Sequence, residues 1–155
     1  TGMKVGYHVS WLPSYGPEMR GGTANCSVHV STDQIGSPNV VDIDILAAFN
    51  LPSLKKFEPD VRPGGAIFYN SSIIDEKPKR DDIDTVAVPA TGLADELGNT
   101  KAANMVMFGA IAAKTGLFTV DEVCMYLDSF ISKKKLLALN EQAVRKGAQY
   151  IKDMG

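Results

Sequence analysis

The middle of the chain decides its fold class. Residues 43–49, Ile-Asp-Ile-Leu-Ala-Ala-Phe, are almost continuously apolar after Asp44. That is the pattern of a strand covered on both faces rather than one that alternates against water. Asn50 ends the run, and Pro52 suits the first turn of a short helix over residues 53–57, where its missing N–H needs no partner. Arg62-Pro63-Gly64-Gly65 is turn chemistry. Residues 66–70 make a second strand and residues 84–88 a third, after which Thr91 can cap a brief helix ended by Gly98. Strand, helix, strand, helix predicts an α/β domain, and 155 residues without repeat, linker or low-complexity tract predict a single one spanning residues 1–155.

The flanks add a second kind of strand and a helical end. Residues 4–11 alternate, with Val5, Tyr7, Val9 and Trp11 on one face and Lys4, Gly6, His8 and Ser10 on the other. Residues 23–31 do the same: Ala24, Cys26, Val28 and Val30 form an apolar face with Cys26 as a small core residue, and Thr23, Asn25, Ser27, His29 and Ser31 form a polar one. Between them, residues 13–22 carry two prolines and three glycines, which fits neither a regular helix nor a central strand. The last third reads as helical. Asn99 or Thr100 can cap a helix that is apolar nearly all round and ends at Gly116, so it is expected to be buried. Thr119 and Glu122 fit a capping box, and Ser132 can cap a final helix with Leu137, Val144, Ala148 and Ile151 on one face.

Composition closes off several function classes. Apolar residues make up 45% and charged residues 22%, which excludes collagen-like and disordered chains. The longest uncharged apolar stretch, residues 102–113, is 12 residues long, against about 20 for a membrane-spanning helix. No basic-then-apolar segment opens the chain, so a cytoplasmic protein with reduced thiols is expected. Residues 1–100 carry a net charge of −5 and residues 101–155 one of +3, yet the pI is about 5.6. Without a coherent basic face, nucleic acid is not an expected partner, and Lys133, Lys134 and Lys135 read as a solvated helix start.

Motifs that carry chemistry are few. Neither G-x-G-x-x-G nor G-x-x-x-x-G-K-[ST] occurs, and the pairs Gly21-Gly22 and Gly64-Gly65 read as turns before they read as phosphate cradles. His8 and His29 lie on polar strand faces, but Cys26 points away from His29 and no carboxylate stands two residues from either histidine, so no metal site is expected. Cys26 and Cys124 cannot by themselves ligate an iron–sulfur cluster, which takes about four cysteines. No serine occupies a G-x-S-x-G elbow, and Asp42 and Asp44 read as charges that keep the start of a strand soluble rather than as a catalytic pair. What remains is the segment of residues 13–22 and the polar face that follows it. It holds an acid, an arginine, a tyrosine and five conformationally special residues, and is either a shaped site or a stiff surface turn.

That segment also carries a resemblance. Residues 13–26, Pro-Ser-Tyr-Gly-Pro-Glu-Met-Arg-Gly-Gly-Thr-Ala-Asn-Cys, strongly resemble the gamma subunit, or gamma domain, of the 2-oxoacid:ferredoxin oxidoreductases. The likeness continues in the family's order through Ile35-Gly36-Ser37-Pro38, Asn50-Leu51-Pro52-Ser53-Leu54, Phe57-Glu58-Pro59 and Pro63-Gly64-Gly65. It runs on through Asn70-Ser71-Ser72, Val88-Pro89-Ala90-Thr91, residues 96–101 and Ala103-Asn104-Met105, and covers the chain from about Lys4 to Gly116. Within the family, residues 19–26 look more like the 2-oxoglutarate and branched-chain 2-oxoacid members than the pyruvate ones.

The resemblance implies a Rossmann-like three-layer α/β domain with a mostly parallel sheet and a helical C-terminal third. The family's gamma domain normally opens with a strand and a glycine-rich turn that this sequence lacks, and the chain starts at Thr1 without methionine, so a preceding segment is expected. The implied function is that of one subunit of a complex that decarboxylates a 2-oxoacid oxidatively with coenzyme A, giving acyl-CoA and carbon dioxide and reducing ferredoxin. Thiamine diphosphate, magnesium and 4Fe–4S clusters would sit mainly on other subunits, leaving no catalytic residue in this chain and an isolated chain that is inactive. Implied partners are alpha and beta subunits, a ferredoxin-like delta subunit and ferredoxin itself, with self-association through the polar face of residues 23–31 as a further expectation. The segment expected to meet substrate, coenzyme A or a neighbouring subunit comprises Tyr15, Gly16, Glu18, Arg20, Gly21, Gly22 and Asn25, with Asn50, Asn70, Ser71, Thr100 and Asn104 as secondary candidates. The rival reading is a stand-alone small-ligand or nucleotide-binding α/β module.

Overall fold

The computed structural model describes residues 1–14, 24–39 and 41–155. They form two compact units, one of Gly2–Tyr69 with Glu76–Val86, the other of Asn70–Asp75 with Ala87–Gly155 and Thr1.

The first unit opens differently from the expected strand. A 3-10 turn covers Gly2–Val5, and strand β1 (His8–Ser14) begins only after it. Gly6 is the cause: its φ of 98° lies in the left-handed region, and Tyr7 N–H donates back to Gly2 O at 3.0 Å. β1 then runs through Pro13, which is tolerated because β1 has a single neighbour and needs no ladder bond on its other side. That neighbour is β2 (Asn25–Ser31), antiparallel, with Val9 opposite Val30, Ser10 opposite His29, Trp11 opposite Val28 and Pro13 opposite Cys26.

This two-stranded ribbon corrects the expected core face. Cys26 is exposed, Val28 is 53% exposed and Trp11 60%, while Ser27 and His29 are half-buried. Within its unit the ribbon packs on itself and on the first 3-10 turn, and no other helix or strand covers it to a comparable extent. At Cys26 and Val28 the apolar side of β2 is therefore wetter than its polar side at Ser27 and His29.

The rest of the first unit is the parallel sheet. β3 (Ile43–Ala48), β4 (Val61–Asn70) and β5 (Asp84–Val88) lie in the order β3-β4-β5. β3 and β4 are parallel, with Ile45 opposite Ala66 and Ala48 opposite Tyr69. β5 runs the same way, since Gly64 N–H donates to Asp82 O and, further along both segments, Ser71 N–H donates to Val88 O. β4 starts earlier than expected and absorbs the Arg62-Pro63-Gly64-Gly65 turn as an irregularity: Ile43 faces Val61, but Ile45 already faces Ala66. Gly64 takes a φ of 74°, and a Cβ on Gly65 would stand 2.9 Å from the carbonyl oxygens of both Arg62 and Asp44. Asp44 is exposed and pairs with Arg62 at 2.5 Å, in keeping with a charge that solvates a strand start.

Helix α1 (Leu51–Phe57) follows β3, and Asn50 Oδ1 accepts from Ser53 N–H at 2.8 Å to close its first turn. Leu54 is buried, as are Leu46, Ala48, Val61, Ile67 and Phe68 of the same unit. Buried Glu58 accepts the backbone N–H groups of Lys79 and Arg80, at 2.5 and 3.0 Å, and so ties the segment before β5 to the one before β4. The Arg80 guanidinium donates to the Glu58 and Val61 carbonyls and to both Asp82 oxygens. The hydrogen bond with Asp82 holds the guanidinium above its usual range and the Asp82 carboxyl below its own.

The second unit is helical. α2 (Ala90–Asp95) takes Pro89 as its N-cap, so Thr91 sits within the first turn instead of capping it; its hydroxyl is already committed to Asn70. A 3-10 turn (Thr100–Ala102), closed by Asn99 Oδ1 accepting from Lys101 N–H, leads into α3 (Ala103–Thr115), which ends at left-handed Gly116. α4 (Val120–Leu127) carries the expected capping box, in which Thr119 Oγ1 accepts from Glu122 N–H and Glu122 accepts from Thr119 N–H at 2.8 Å. α5 (Lys134–Met154) starts from Lys133, whose carbonyl accepts the first helical bonds, so Ser132 is not its cap. α3 and α5 cross at Gly109 and Gly147, where each glycine lies against the other helix's backbone. Val106, Met107, Ala110, Val144 and Ala148 are buried around the crossing, and Phe108 meets Phe118 edge-on at 6.3 Å.

Candidate functional site

In a parallel sheet, ligands collect outside the carboxyl ends of the strands. In the second unit that position is built by Asn70, the last residue of β4, with Ser71 and Ser72 beyond it, and by the start of α2 after β5. Asn70 is 1% exposed and spends its amide locally. Its Nδ2 donates to Thr91 Oγ1 at 2.8 Å, and its Oδ1 accepts from Ser72 N–H and Thr91 N–H, each at 3.3 Å. Gly92 N–H donates to Ser72 Oγ at 3.0 Å. The result is a small, fully cross-linked polar platform with Ser72 exposed and Ser71 half-buried at its surface. Every group on it is a neutral amide or hydroxyl. Such a platform holds the end of β4 to the start of α2 and offers no acid, base or activated nucleophile.

The structure brings Asn70 and Ser71 together at the end of β4. Asn50 belongs to the first unit and caps α1. Thr100 opens a 3-10 turn, and Asn104 is exposed in the first turn of α3. Asn25 stands at the start of β2, opposite Ser14. Tyr15, Gly16, Glu18, Arg20, Gly21 and Gly22 lie outside the described residues, as does Thr23. Ser72, Thr91 and Gly92 are not singled out by sequence reasoning. The signal for them is the pair of short motifs Asn70-Ser71-Ser72 and Val88-Pro89-Ala90-Thr91, which become one hydrogen-bonded unit only when two parallel strands end side by side.

Titratable chemistry elsewhere is sparse. A surface groove of about 420 Å³ between α4 and α5 is lined by Asp121, Asp128, Glu141 and Arg145 over Cys124 and Leu137. Arg145 pairs with Asp121 at 2.9 Å, which raises the guanidinium further, and burial pushes the Cys124 thiol up, away from the reactive thiolate. On the ribbon, Ser10 Oγ and His29 Nε2 are shielded from water without a hydrogen-bond partner among the described residues. Among the described residues no three His, Cys, Asp or Glu side chains converge as metal ligands, and Cys26 and Cys124 belong to different units. Two cysteines fall short of the about four that an iron–sulfur cluster takes. Among the described residues no helix is long and apolar enough to cross a membrane.

A short parallel sheet, a helical C-terminal portion and a strand-end platform of neutral polar groups define an α/β domain. The family profile described as pyruvate ferredoxin/flavodoxin oxidoreductase matches residues 1–150, and the chain belongs to that family. It is 40% identical over 149 residues to the ketoisovalerate oxidoreductase subunit VorA of Methanothermobacter marburgensis, covering 94% of this chain and 30% of that one. It is 35% identical over 121 residues to the 2-oxoglutarate synthase subunit KorC of the same organism, covering 74% of this chain and 65% of that one. The chain thus spans less than a third of VorA and just under two thirds of KorC. In fold it is similar to the gamma subunit of a keto/oxoacid ferredoxin oxidoreductase from Geobacter sulfurreducens, with a TM-score of 0.83, 24% identity, and coverage of 97% of this chain and 84% of that one. It is also similar to a 2-oxoglutarate:ferredoxin oxidoreductase from Magnetococcus marinus with 2-oxoglutarate, coenzyme A and succinyl-CoA bound, with a TM-score of 0.76, 20% identity, and coverage of 99% and 27%.

Proposed function

We propose that the chain is the gamma domain of a 2-oxoacid:ferredoxin oxidoreductase, a single functional domain across residues 1–155 that works in the cytoplasm with alpha, beta and ferredoxin-like delta partners. The observation that carries this reading is the family match over residues 1–150 together with 40% identity to a ketoisovalerate oxidoreductase subunit. The proposed reaction joins a 2-oxoacid to coenzyme A with loss of carbon dioxide and reduction of ferredoxin. The substrate class is a branched-chain 2-oxoacid or 2-oxoglutarate, since the relatives named above act on these. Thiamine diphosphate, magnesium and iron–sulfur clusters belong to the partner subunits and supply the decarboxylation and electron transfer.

The contribution proposed for this chain is positioning. Tyr15, Gly16, Glu18, Arg20, Gly21, Gly22 and Asn25 are proposed to meet coenzyme A, the 2-oxoacid or a neighbouring subunit, with Arg20 supplying a planar fork of donors suited to carboxylate or phosphate. Asn50, Asn70, Ser71, Thr100 and Asn104 remain proposed secondary positions. The test is co-expression with the thiamine-binding and cluster-bearing subunits of such an enzyme, followed by an assay of coenzyme A-dependent ferredoxin reduction with ketoisovalerate, 2-oxoglutarate and pyruvate. Activity with one of the first two, absent from the isolated chain, is the expected result. A chain that joins no such particle, or that binds a small ligand tightly on its own, overturns the reading in favour of a stand-alone module.

A further inference from the structure

The first turns of α5 carry charge and apolar surface that the helical unit does not use. The buried residues of α5 begin at Ala143, so the helix from Lys134 to Gln142 contributes nothing fully buried. Leu136 is 41% exposed; Met125 on α4 and Phe130 in the loop after it are 63% and 65% exposed. Lys133, Lys134 and Lys135 stand in the open at the positive end of the helix macrodipole, with no acidic residue in the first turn and no side-chain cap. Three cations there oppose the dipole instead of complementing it. No ion pair among the described residues offsets them.

Further along the same helix the sign reverses. The groove between α4 and α5 sets Asp128 and Glu141 beside an apolar floor of Met125 and Leu137. Asp121 and Arg145, also in the groove, satisfy each other at 2.9 Å, whereas Glu141 has no ion pair among the described residues. Lys134, Leu137 and Glu141 fall at i, i+3 and i+7, which is one stripe of an α-helix. A leucine thus stands between an unpaired cation and an unpaired anion about 10 Å apart along the axis.

That order of charges selects the occupant. A partner of a single sign would meet one end of the stripe with a like charge, which suppresses association. The fitting surface carries the same charges in reverse order around an apolar centre, and a second copy turned about a two-fold axis supplies that order by symmetry. With the axis between Leu137 and Ala138, two antiparallel α5 helices set Lys134 of each copy against Glu141 of the other and bring the two Leu137 side chains to the centre. We propose that this end of α4 and α5 is an isologous interface between two copies of the chain. The proposal rests on the charge order of α5 and not on the reaction assigned to the chain.

Charge reversal tests it. Sedimentation equilibrium of the wild-type chain should show a monomer–dimer equilibrium, with Met125 and Phe130 protected from hydroxyl-radical footprinting as concentration rises. Lys134→Glu should weaken the dimer at least tenfold, and Glu141→Lys likewise, because each faces a like charge twice across the axis. Lys134→Glu also places an acid in the first turn of α5, where it favours the helix. Its circular dichroism and Tm should therefore not fall, which separates lost association from unfolding. Mixing the two variants should restore the dimer, since opposite charges then meet at both contacts, and the chain with both substitutions should dimerise by itself. A wild-type chain that stays monomeric at every concentration overturns the proposal. So does a dimer that neither substitution weakens, or a mixture that fails to recover it. Protection of Met125 and Phe130 only when other subunits are added identifies another protein as the occupant and also overturns it.

Discussion

Replacing Gly147 by alanine should loosen the helical unit, and the size of the effect follows from the crossing of α3 and α5. A Cβ at Gly147 would fall on the Val106 carbonyl oxygen, 2.7 Å from the Val106 carbonyl carbon and 3.1 Å from Ala110 N; a Cβ at Gly109 would fall likewise on Val144. Carbon-to-oxygen contacts between helices settle at about 3.3–3.6 Å, so a contact at 1.9 Å must open by roughly 1.4–1.7 Å to admit the methyl group. The obstacle is backbone rather than a flexible side-chain end, so neither partner can swing aside. Parting would also open a gap across Val106, Met107, Ala110, Val144 and Ala148, all buried there, and a radial gap of about 0.5–1 Å forfeits a quarter to a half of each contact's attraction. Overpacking costs about 1–3 kcal/mol, with this site at the upper end, and alanine's helical advantage over glycine returns about 1 kcal/mol. The expected net loss is about 2 kcal/mol, which for a chain of this length lowers Tm by roughly 4–8 °C. Thermal and urea unfolding of Gly147→Ala and Gly109→Ala, followed by circular dichroism, measure it. Gly92→Ala is the control, because its added Cβ would stand an ordinary 3.4 Å from Ser72 Oγ, and its stability should hold or rise. A Gly147→Ala chain as stable as that control would refute the argument.

Asn70→Ala removes three hydrogen bonds from a buried platform; each polar group left without a partner costs about 1–3 kcal/mol, so a loss of about 2–3 kcal/mol is expected, with faster amide hydrogen exchange at Ser72 and Thr91 as the local readout. The Thr119 N–H, and then its hydroxyl, hold the Glu122 carboxyl below the usual carboxylate range. The stability this adds is present above the ordinary glutamate pKa and is lost as pH falls through the lowered folded value, so Glu122→Gln should flatten the acid limb of a stability–pH profile and leave its alkaline side unchanged. In the assembled enzyme, Arg20→Ala should raise KM for coenzyme A or the 2-oxoacid if it contacts ligand, or reduce subunit capture if it is a pin between subunits. Arg20→Lys should rescue little in either case, and wild-type turnover and assembly in Arg20→Ala would reduce the segment of residues 13–22 to a turn.

Much of the fold is legible in the sequence because the signals are local. The apolar run at residues 43–49, the Asn50 and Pro52 helix start, the Thr119–Glu122 box and Gly116 all act within a few residues, and each occurs where the pattern puts it. What misleads are signals whose meaning depends on distant chain. Arg62-Pro63-Gly64-Gly65 has the composition of a turn, but a parallel neighbour with Asp44 at close range makes it the irregular start of β4. Thr91 looks like a cap until Asn70, 21 residues earlier, claims its hydroxyl. The strand-end platform is half legible for the same reason: Asn70 and Ser71 can be singled out, whereas Ser72, Thr91 and Gly92 join them only through the sheet.

The ribbon shows a different limit. Alternation in residues 23–31 states that two faces differ; it does not state which face meets water. Assigning the apolar face to a core assumes that the covering layer is part of the same chain. For β1 and β2, among the described helices and strands of their unit, the 3-10 turn at Gly2–Val5 is the one that packs on them most. A lone two-stranded ribbon is marginally stable in water, and one that also wets Trp11 and Val28 forgoes the burial that would hold it. The exposure of Trp11, Val28 and Cys26 shows that a strand with the composition of a core strand can leave its apolar side in water, which alternation does not read.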